Sequence, residues 1–409
     1  MSKLLSQGGF GCIYYPGIKC NGKPQNNKNV VSKIQKMDET AQNEISIGDL
    51  IIAIPHYELY FLPVISSCPI NIKNVDKKLL KDCESIDIGK KNTDKQHTSK
   101  QHTSKQYTNI GKYVLMEIPY VTNKSFYTIL VDMYSSKKHI IISLIENYTY
   151  LLEAIDILLT NNIVHFDIKS ENILYNQNTH LPMILDFGIS IDMTTLIGAK
   201  GINLAKGINL EKYFYTYSPD YYIWCLEVHV INYLLHEAKG DLTAMDAKSI
   251  ATEYVHYNKA LDIFSDAFKA DYLKACETVL SKYVGKDKKK TIVELLSFYP
   301  TWDNYSLSVL YLKTFSFMFP GGFHKNSLIL YFSQMLLYNI HPDPTKRYSL
   351  EKTRETFTDI FYMEEHVDNY MDLIKTFEYD IDYTTRAIQA DLKATKRKQL
   401  KNKKNMIIR

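Results

Sequence analysis

The stretch from Ile163 to Leu174, I-V-H-F-D-I-K-S-E-N-I-L, constrains this chain more than any other. Ile163 and Val164 form a short apolar approach, after which His165, Asp167, Lys169 and Asn172 fall on one loop. A second apolar run, Pro182 to Leu185, leads directly into Asp186-Phe187-Gly188. Two short strands ending in polar residues place two acids and an amide at neighbouring strand ends. Asp167 is a carboxylate able to orient a hydroxyl and take its proton. Asn172 and Asp186 offer hard oxygen ligands suited to magnesium. Lys169, two residues past the acid, can offset the charge that spreads over transferring phosphate oxygens. Each role uses a different side chain, so the loop reads as a set for phosphoryl transfer.

H-F-D-I-K-S-E-N followed by D-F-G resembles the catalytic and metal-binding loops of eukaryotic-type protein kinases. A chance H-x-D is common for three letters, but it does not explain Asn172 and the D-F-G triplet arriving in order. The resemblance implies an α+β, two-lobed protein-kinase-like fold, with a small β-rich N-lobe and a large helical C-lobe carrying insertions. It also implies ATP and Mg2+ as cofactors and protein substrates as partners. Lys169 at its place in the loop is similar to the serine/threonine branch. The expected division is 1–118 for the N-lobe, 119–365 for the C-lobe and 366–409 for a C-terminal extension.

At 409 residues and 45% hydrophobic, the chain is long enough to bury the core of more than one lobe. The six cysteines, Cys12, Cys20, Cys68, Cys83, Cys225 and Cys276, lack C-x-x-C spacing and suggest neither a zinc site nor a disulfide framework. With no apolar secretory segment after Met1-Ser2-Lys3, the expectation is a reducing, intracellular setting. Ser333 and Gln334 interrupt the best apolar run, Leu328 to Leu337, so no membrane span is expected. Lys393, Lys396, Arg397, Lys398, Lys401, Lys403, Lys404 and Arg409 lie at the end; removing those eight charges from a net +4 leaves the remainder near −4. Basicity is therefore a property of the tail. No aromatic residue is interleaved among these lysines, so a solvated tail is expected over one that binds nucleic acid or an anionic surface.

In chain order, Leu4 to Tyr15 reads as strand, glycine turn and strand, where backbone N–H groups can approach phosphates. Aligned on the family's G-x-G-x-x-G-x-V, the positions are Ser6, Gly8, Gly11 and Ile13, with Gly9 in the turn and serine replacing the first glycine. A plain hairpin would look the same. Lys33, in Val30 to Ile34, resembles the phosphate-binding lysine of the V-A-I-K strand. Its anionic partner is expected on a helix over Met37 to Leu50, as Glu44 or, alternatively, Glu39, with Gly48 lowering helix propensity.

Tyr57 to Ile65 reads as strand, and Asn71 to Gly111 as a polar, loosely held insertion in which His97 and His102 belong to a solvated repeat rather than a metal site. Met116, Glu117, Ile118 and Pro119 resemble the hinge that holds adenine. Pro119 lacks an N–H donor, so Pro119→Ala is expected to tighten ATP binding by about 0.5 to 1.5 kcal/mol if that register holds. Ile140 to Thr160 has the spacing of a buried helix.

Phe166 stands where many members of the family carry an arginine that grips a phosphorylated activation loop, so control by that clamp is not expected. Ala199 to Leu210 is a tandem A-K-G-I-N-L repeat whose glycines suggest mobility. Ser218-Pro219-Asp220 resembles A-P-E, and Asp343-Pro344-Thr345-Lys346-Arg347 the D-P-x-x-R element, which together imply an Asp220–Arg347 ion pair. Asp303, in a partial match to D-x-W-S-x-G, is expected to brace the catalytic-loop backbone. Residues 228–300 read as a helical insertion, a platform for a regulatory partner or substrate. Leu307 to Phe319, Leu328 to Tyr338 and Ser349 to Phe361 complete the helical lobe.

The insertion pattern and biased composition resemble the divergent protein kinases of large nucleocytoplasmic DNA viruses, which implies host cytoplasm and virion as locations. The reading is a serine/threonine protein kinase; the alternatives are a pseudokinase or virion scaffold that keeps the fold without turnover, and a small-molecule kinase, for which the A-P-E-like and D-P-x-x-R-like elements are not expected.

Overall fold

The computed structural model describes residues 2–7, 11–86, 112–129, 140–198, 201–202, 208–319, 327–363, 386–391 and 393–394. Gly8, Gly9, His97, His102, most of the tandem repeat and most of the basic tail lie outside the described residues. The architecture is the two-lobed, kinase-type one: a β-sheet lobe first, then a mostly helical lobe.

The first sheet is antiparallel. Strands β1 (Lys3–Gln7), β2 (Gly11–Tyr15), β3 (Val30–Lys36), β5 (Ser66–Ile70) and β6 (Tyr113–Pro119) lie in the order β1-β2-β3-β6-β5. The β-branched, apolar β3 takes the centre, and its first six residues are all buried. Register sets Lys33 opposite Ile13 on one side and Met116 on the other. A slip of one residue would turn Lys33 to the opposite face.

Helix α1 (Glu39–Ile52) follows β3 at once, started by Asp38, whose carboxylate accepts from Ala41 N at 3.0 Å. It buries Ala41, Glu44, Ile47, Gly48 and Ile51, a spacing of three and four. The helix runs through Gly48 because a Cβ there would lie 2.5 Å from Val64 O. The residue that lowers helix propensity is thus the one that lets the helix lie against that strand connection.

Two expectations are corrected here. Cys12 pairs with Cys83 and Cys20 with Cys68, so four of the cysteines do form a disulfide framework. Such cross-links are rare in the reducing setting expected from the lack of an apolar secretory segment. The first part of the stretch read as a loose insertion is folded: residues 72–74 form a 3-10 turn and α2 (Lys77–Leu80) follows. Ile72, Val75, Leu80, Cys83 and Ile86 pack on Cys12, Tyr14, Ile34 and Leu115 of the sheet. Averaged polarity over Asn71 to Gly111 conceals these few apolar residues, which together cover one face of the sheet.

In the large lobe, α3 (Ile140–Thr160) buries Leu144, Leu151, Leu152, Ile155 and Leu158, as its periodicity predicts. Strands β8 (Ile163–Val164), β9 (Ile173–Asn176), β10 (Leu181–Leu185) and β11 (Ile191–Asp192) carry the catalytic loop and the D-F-G triplet between them. A second sheet, ordered β4-β10-β9-β7, joins β4 (Phe61–Leu62) and β7 (Asn123–Ser125) to these strands. β4 pairs in parallel with β10, and Ile184 N donates to Tyr60 O at 2.9 Å. The strand delivering Asp186 is thereby fixed to chain that directly follows α1.

The helices are α4 (Leu226–His236), α5 (Ala244–Tyr257), α6 (Asp266–Ser281), α7 (Lys288–Leu296), α8 (Trp302–Met318), α9 (Ser327–Asn339) and α10 (Leu350–Tyr362). Nearly every residue of α8 is buried, so it has no solvent stripe and acts as the helix around which the lobe packs. Among the described residues, no helix is long and apolar enough to cross a membrane.

Candidate active site

The central strand and the first helix make the first half of the site. Lys33 Nζ lies 2.6 Å from Glu44 Oε2 and 2.9 Å from Oε1, and 3.4 Å from Asp186 Oδ1. Glu44 is buried on the inner side of α1, whereas Glu39 is exposed in its first turn. The structure therefore selects Glu44. Burial opposes the charge on Lys33, but the carboxylates of Asp186 and Glu44 outweigh it and hold the ammonium charged. Burial also works against Asp186, yet Lys33, Lys169 and His165 hold its pKa below the usual carboxylate range.

The catalytic loop is held from beneath. Asp303, near the start of α8, accepts from His165 N at 2.6 Å and Phe166 N at 2.9 Å, the bracing role its partial motif implies. Burial lowers the pKa of His165 against the pull of Asp303; its Nδ1 accepts from Asp167 N at 3.2 Å. Phe166 takes a positive φ of 67° and is buried, stacked on Trp224 at 5.1 Å. Trp224 Nε1 donates to Phe166 O at 3.0 Å. Where a charged residue would face solvent or a phosphate, this aromatic ring joins the core.

Asp167 is fully engaged. Its Oδ2 accepts from Lys169 Nζ at 2.8 Å and Asn172 Nδ2 at 2.9 Å, and its Oδ1 accepts from the hydroxyl of Tyr221. Lys169 Nζ also donates to Tyr221 Oη at 3.0 Å. Burial pushes the Asp167 carboxyl up, against the pull of Lys169. Asn172 Nδ2 further donates to Asp167 O at 2.9 Å. With its amide nitrogen so committed, the side-chain oxygen is the atom Asn172 has left to offer a cation.

Among the described residues, no group of three or more His, Cys, Asp or Glu is arranged to hold a metal. The donors Asn172 and Asp186 instead fit magnesium, which takes one or two protein oxygens and completes its shell with phosphates and water. The cofactor-side residues are distributed differently. Met116 is buried against Ala41, Val64 and Val114. Glu117 accepts from Ser66 Oγ at 2.7 Å, and Pro119 pairs with Val30 at the end of β6, where the chain leaves for β7. Ser6 is exposed and pairs with Ile13 beside a register shift. Gly11 is required by the sheet itself, since a Cβ there would lie 2.6 Å from Ile34 O.

The expected Asp220–Arg347 pair does not form as expected. Arg347 pairs with Glu227, and Asp220 accepts from Ser218 Oγ at 3.0 Å. Cys225-Leu226-Glu227, at the start of α4, therefore takes the place assigned to Ser218-Pro219-Asp220. The longer glutamate begins a helix that packs inward, while Asp220 lies in a turn before it. The sequence singles out neither Glu227 nor two other residues of the site. Tyr221 is one of many tyrosines. Asn43, next to Glu44, donates to Gly188 O at 3.1 Å and Ser190 O at 2.8 Å, tying α1 to the chain after D-F-G; its adjacency to Glu44 is the only signal.

The fold and the gathered residues define a protein-kinase-type protein. The family model described as protein kinase domain matches residues 75–201, which contain the catalytic loop and the D-F-G triplet but not Lys33 or Glu44. No curated protein matches the chain.

Proposed function

We propose that the protein is a serine/threonine protein kinase that transfers the γ-phosphate of ATP to protein hydroxyls. The observation that carries this reading is the meeting of Lys33, Glu44 and Asp186, up to 153 residues apart in the chain, beside the Asp167–Lys169–Asn172 loop. Glu44 aims Lys33 at the nucleotide phosphates. Asp167 orients the acceptor hydroxyl and takes its proton, and Lys169 offsets charge on the transferring group. Asn172 and Asp186 would hold magnesium, which supplies charge neutralisation at the phosphates. The loop lysine Lys169 supports serine/threonine acceptors. Ser6, Gly8, Gly9, Gly11, Ile13, Met116, Glu117 and Pro119 form the nucleotide side of this reading.

The insertion pattern supports the narrower likeness to divergent kinases of large nucleocytoplasmic DNA viruses. Helices α5 to α7, between α4 and α8, are the surface on which a regulatory partner would act. One observation favours the pseudokinase or scaffold reading: Tyr221 covers the base. Purified protein incubated with labelled ATP, magnesium and a general protein substrate, beside Asp167→Asn, separates the two. Label that requires Asp167 supports the kinase; equal label from both forms, or none from either, removes that reading.

A further inference from the structure

Helix α8 carries only two charged residues, Asp303 and Lys313. Asp303 braces the catalytic loop; Lys313, further along the same helix, is buried. Its Nζ donates to Tyr222 Oη at 2.5 Å and to Asp391 Oδ2, and lies 4.9 Å from the centroid of the Tyr222 ring. Tyr222 directly follows Tyr221, whose hydroxyl sits on Asp167, so the ammonium lies beside the place of the acceptor. Burial opposes its charge, but Tyr127, Asp391 and Glu171 outweigh it and raise its pKa. Glu171, on the catalytic loop, accepts from Ser170 Oγ at 2.6 Å, and the carboxylate that pairs with Lys313 is that of Asp391. Asp391 belongs to the helical segment 386–391, which also sets Ile388, three positions earlier on the same face, into the core of the lobe. It is the more exposed partner, at 18% against 6% for Lys313, so the carboxylate enters from the solvent side. The Tyr127 hydroxyl, buried among the same charges, has no hydrogen-bond partner among the described residues. A carboxylate has two oxygens, and the seat holds a donor to spare.

We propose that Lys313 is a specificity-determining residue: its ammonium reads an acidic side chain of the protein substrate near the acceptor hydroxyl, and Asp391 fills that subsite in the resting chain. The proposal rests on the kinase reading above. A buried ammonium is costly unless an anion meets it, and an apolar side chain would pack at this end of α8 without that cost. Lysine is a compact point charge that takes aspartate or glutamate from several directions, so the feature read is acidity and not one side-chain shape. Asp391 and a substrate carboxylate compete for one ammonium. The contact with Asp391 therefore raises the KM of acidic substrates and leaves the chemical step untouched.

The test uses the full chain with ATP, magnesium and single-serine peptides on an alanine background, in which one aspartate or one asparagine is walked through every position flanking the serine. The native chain is expected to show a lower KM for aspartate than for asparagine at one or more positions. Asp391→Asn is expected to widen that difference about tenfold or more, the scale of a hydrogen bond to a charged group, with kcat and the KM for ATP unchanged. Lys313→Met is expected to abolish the difference. Asp391→Asn acting on both peptide series alike, or on neither, makes the pair a purely structural staple; either result overturns the proposal and leaves the kinase reading standing. No phosphate on any peptide, from the native chain or from Asp391→Asn, overturns both. The comparison of these two chains does not depend on how Lys313→Met folds.

Discussion

Arg347 grips Glu227 with both arms of its guanidinium, Nη1 to Oε1 at 2.5 Å and Nη2 to Oε2 at 2.8 Å, and neither side chain is more than 1% exposed. Trp302 Nε1 donates to the same Oε1 at 3.1 Å, and Arg347 Nε to His341 O at 2.9 Å. The pair therefore joins α4, the start of α8 and the loop before α10. It anchors the segment that carries Tyr221 to the body of the large lobe.

Glu227→Ala leaves a buried guanidinium without its carboxylate, which costs about 3 to 5 kcal/mol when a buried pair is broken from one side. Urea unfolding should show this loss, with Asp220→Ala costing much less. Equal losses from the two variants would return the anchoring role to Asp220.

Glu44→Gln removes the anion that aims Lys33, and removing one such electrostatic contact lowers turnover by about 100-fold or more. Glu39→Gln, on the exposed first turn of α1, should leave turnover near the native value. Steady-state phosphotransfer at saturating ATP checks the contrast; a larger effect from Glu39→Gln would sink the Lys33–Glu44 assignment.

The cross-links Cys12–Cys83 and Cys20–Cys68 close loops of 71 and 48 residues over the outer face of the first sheet. Losing a native disulfide costs about 2 to 5 kcal/mol in a small domain, so reduction should lower the melting temperature. Peptide mapping without reductant should recover both cross-linked pairs and leave Cys225 and Cys276 as thiols. Recovery of six free thiols under non-reducing conditions would refute this.

Burial opposes the charge on Asp343, but hydrogen bonds from Lys282, at 2.9 Å, and Thr345 bring its pKa down to about 2. The folded value is depressed below the ordinary one of about 3.9. Its stabilisation is therefore fully present above pH about 4 and is lost as the pH falls towards 2. Lys282 is half exposed and screened by solvent, so the contribution is about 1 to 2 kcal/mol. Asp343→Asn should flatten the melting-temperature profile in that acid range; a profile parallel to the native one would count against the linkage.

Local chemistry made much of this legible from the chain. The catalytic loop, the D-F-G triplet, the periodicity of Ile140 to Thr160 and the role of Asp303 rest on short-range spacing, and their placement follows it. Gly48 shows where propensity misleads: an unfavourable helix residue is retained because the helix must approach Val64.

What sequence alone determined is the set of residue types and their local order: an acid, a lysine, an amide and a second acid on adjoining strand ends. Only the tertiary structure decided the partners. Glu44 over Glu39, Glu227 over Asp220, the cysteine pairing and the seat of Tyr221 each depend on which side chains face one another after the chain has closed. Such choices follow from burial and reach across space, quantities that spacing along the chain does not encode.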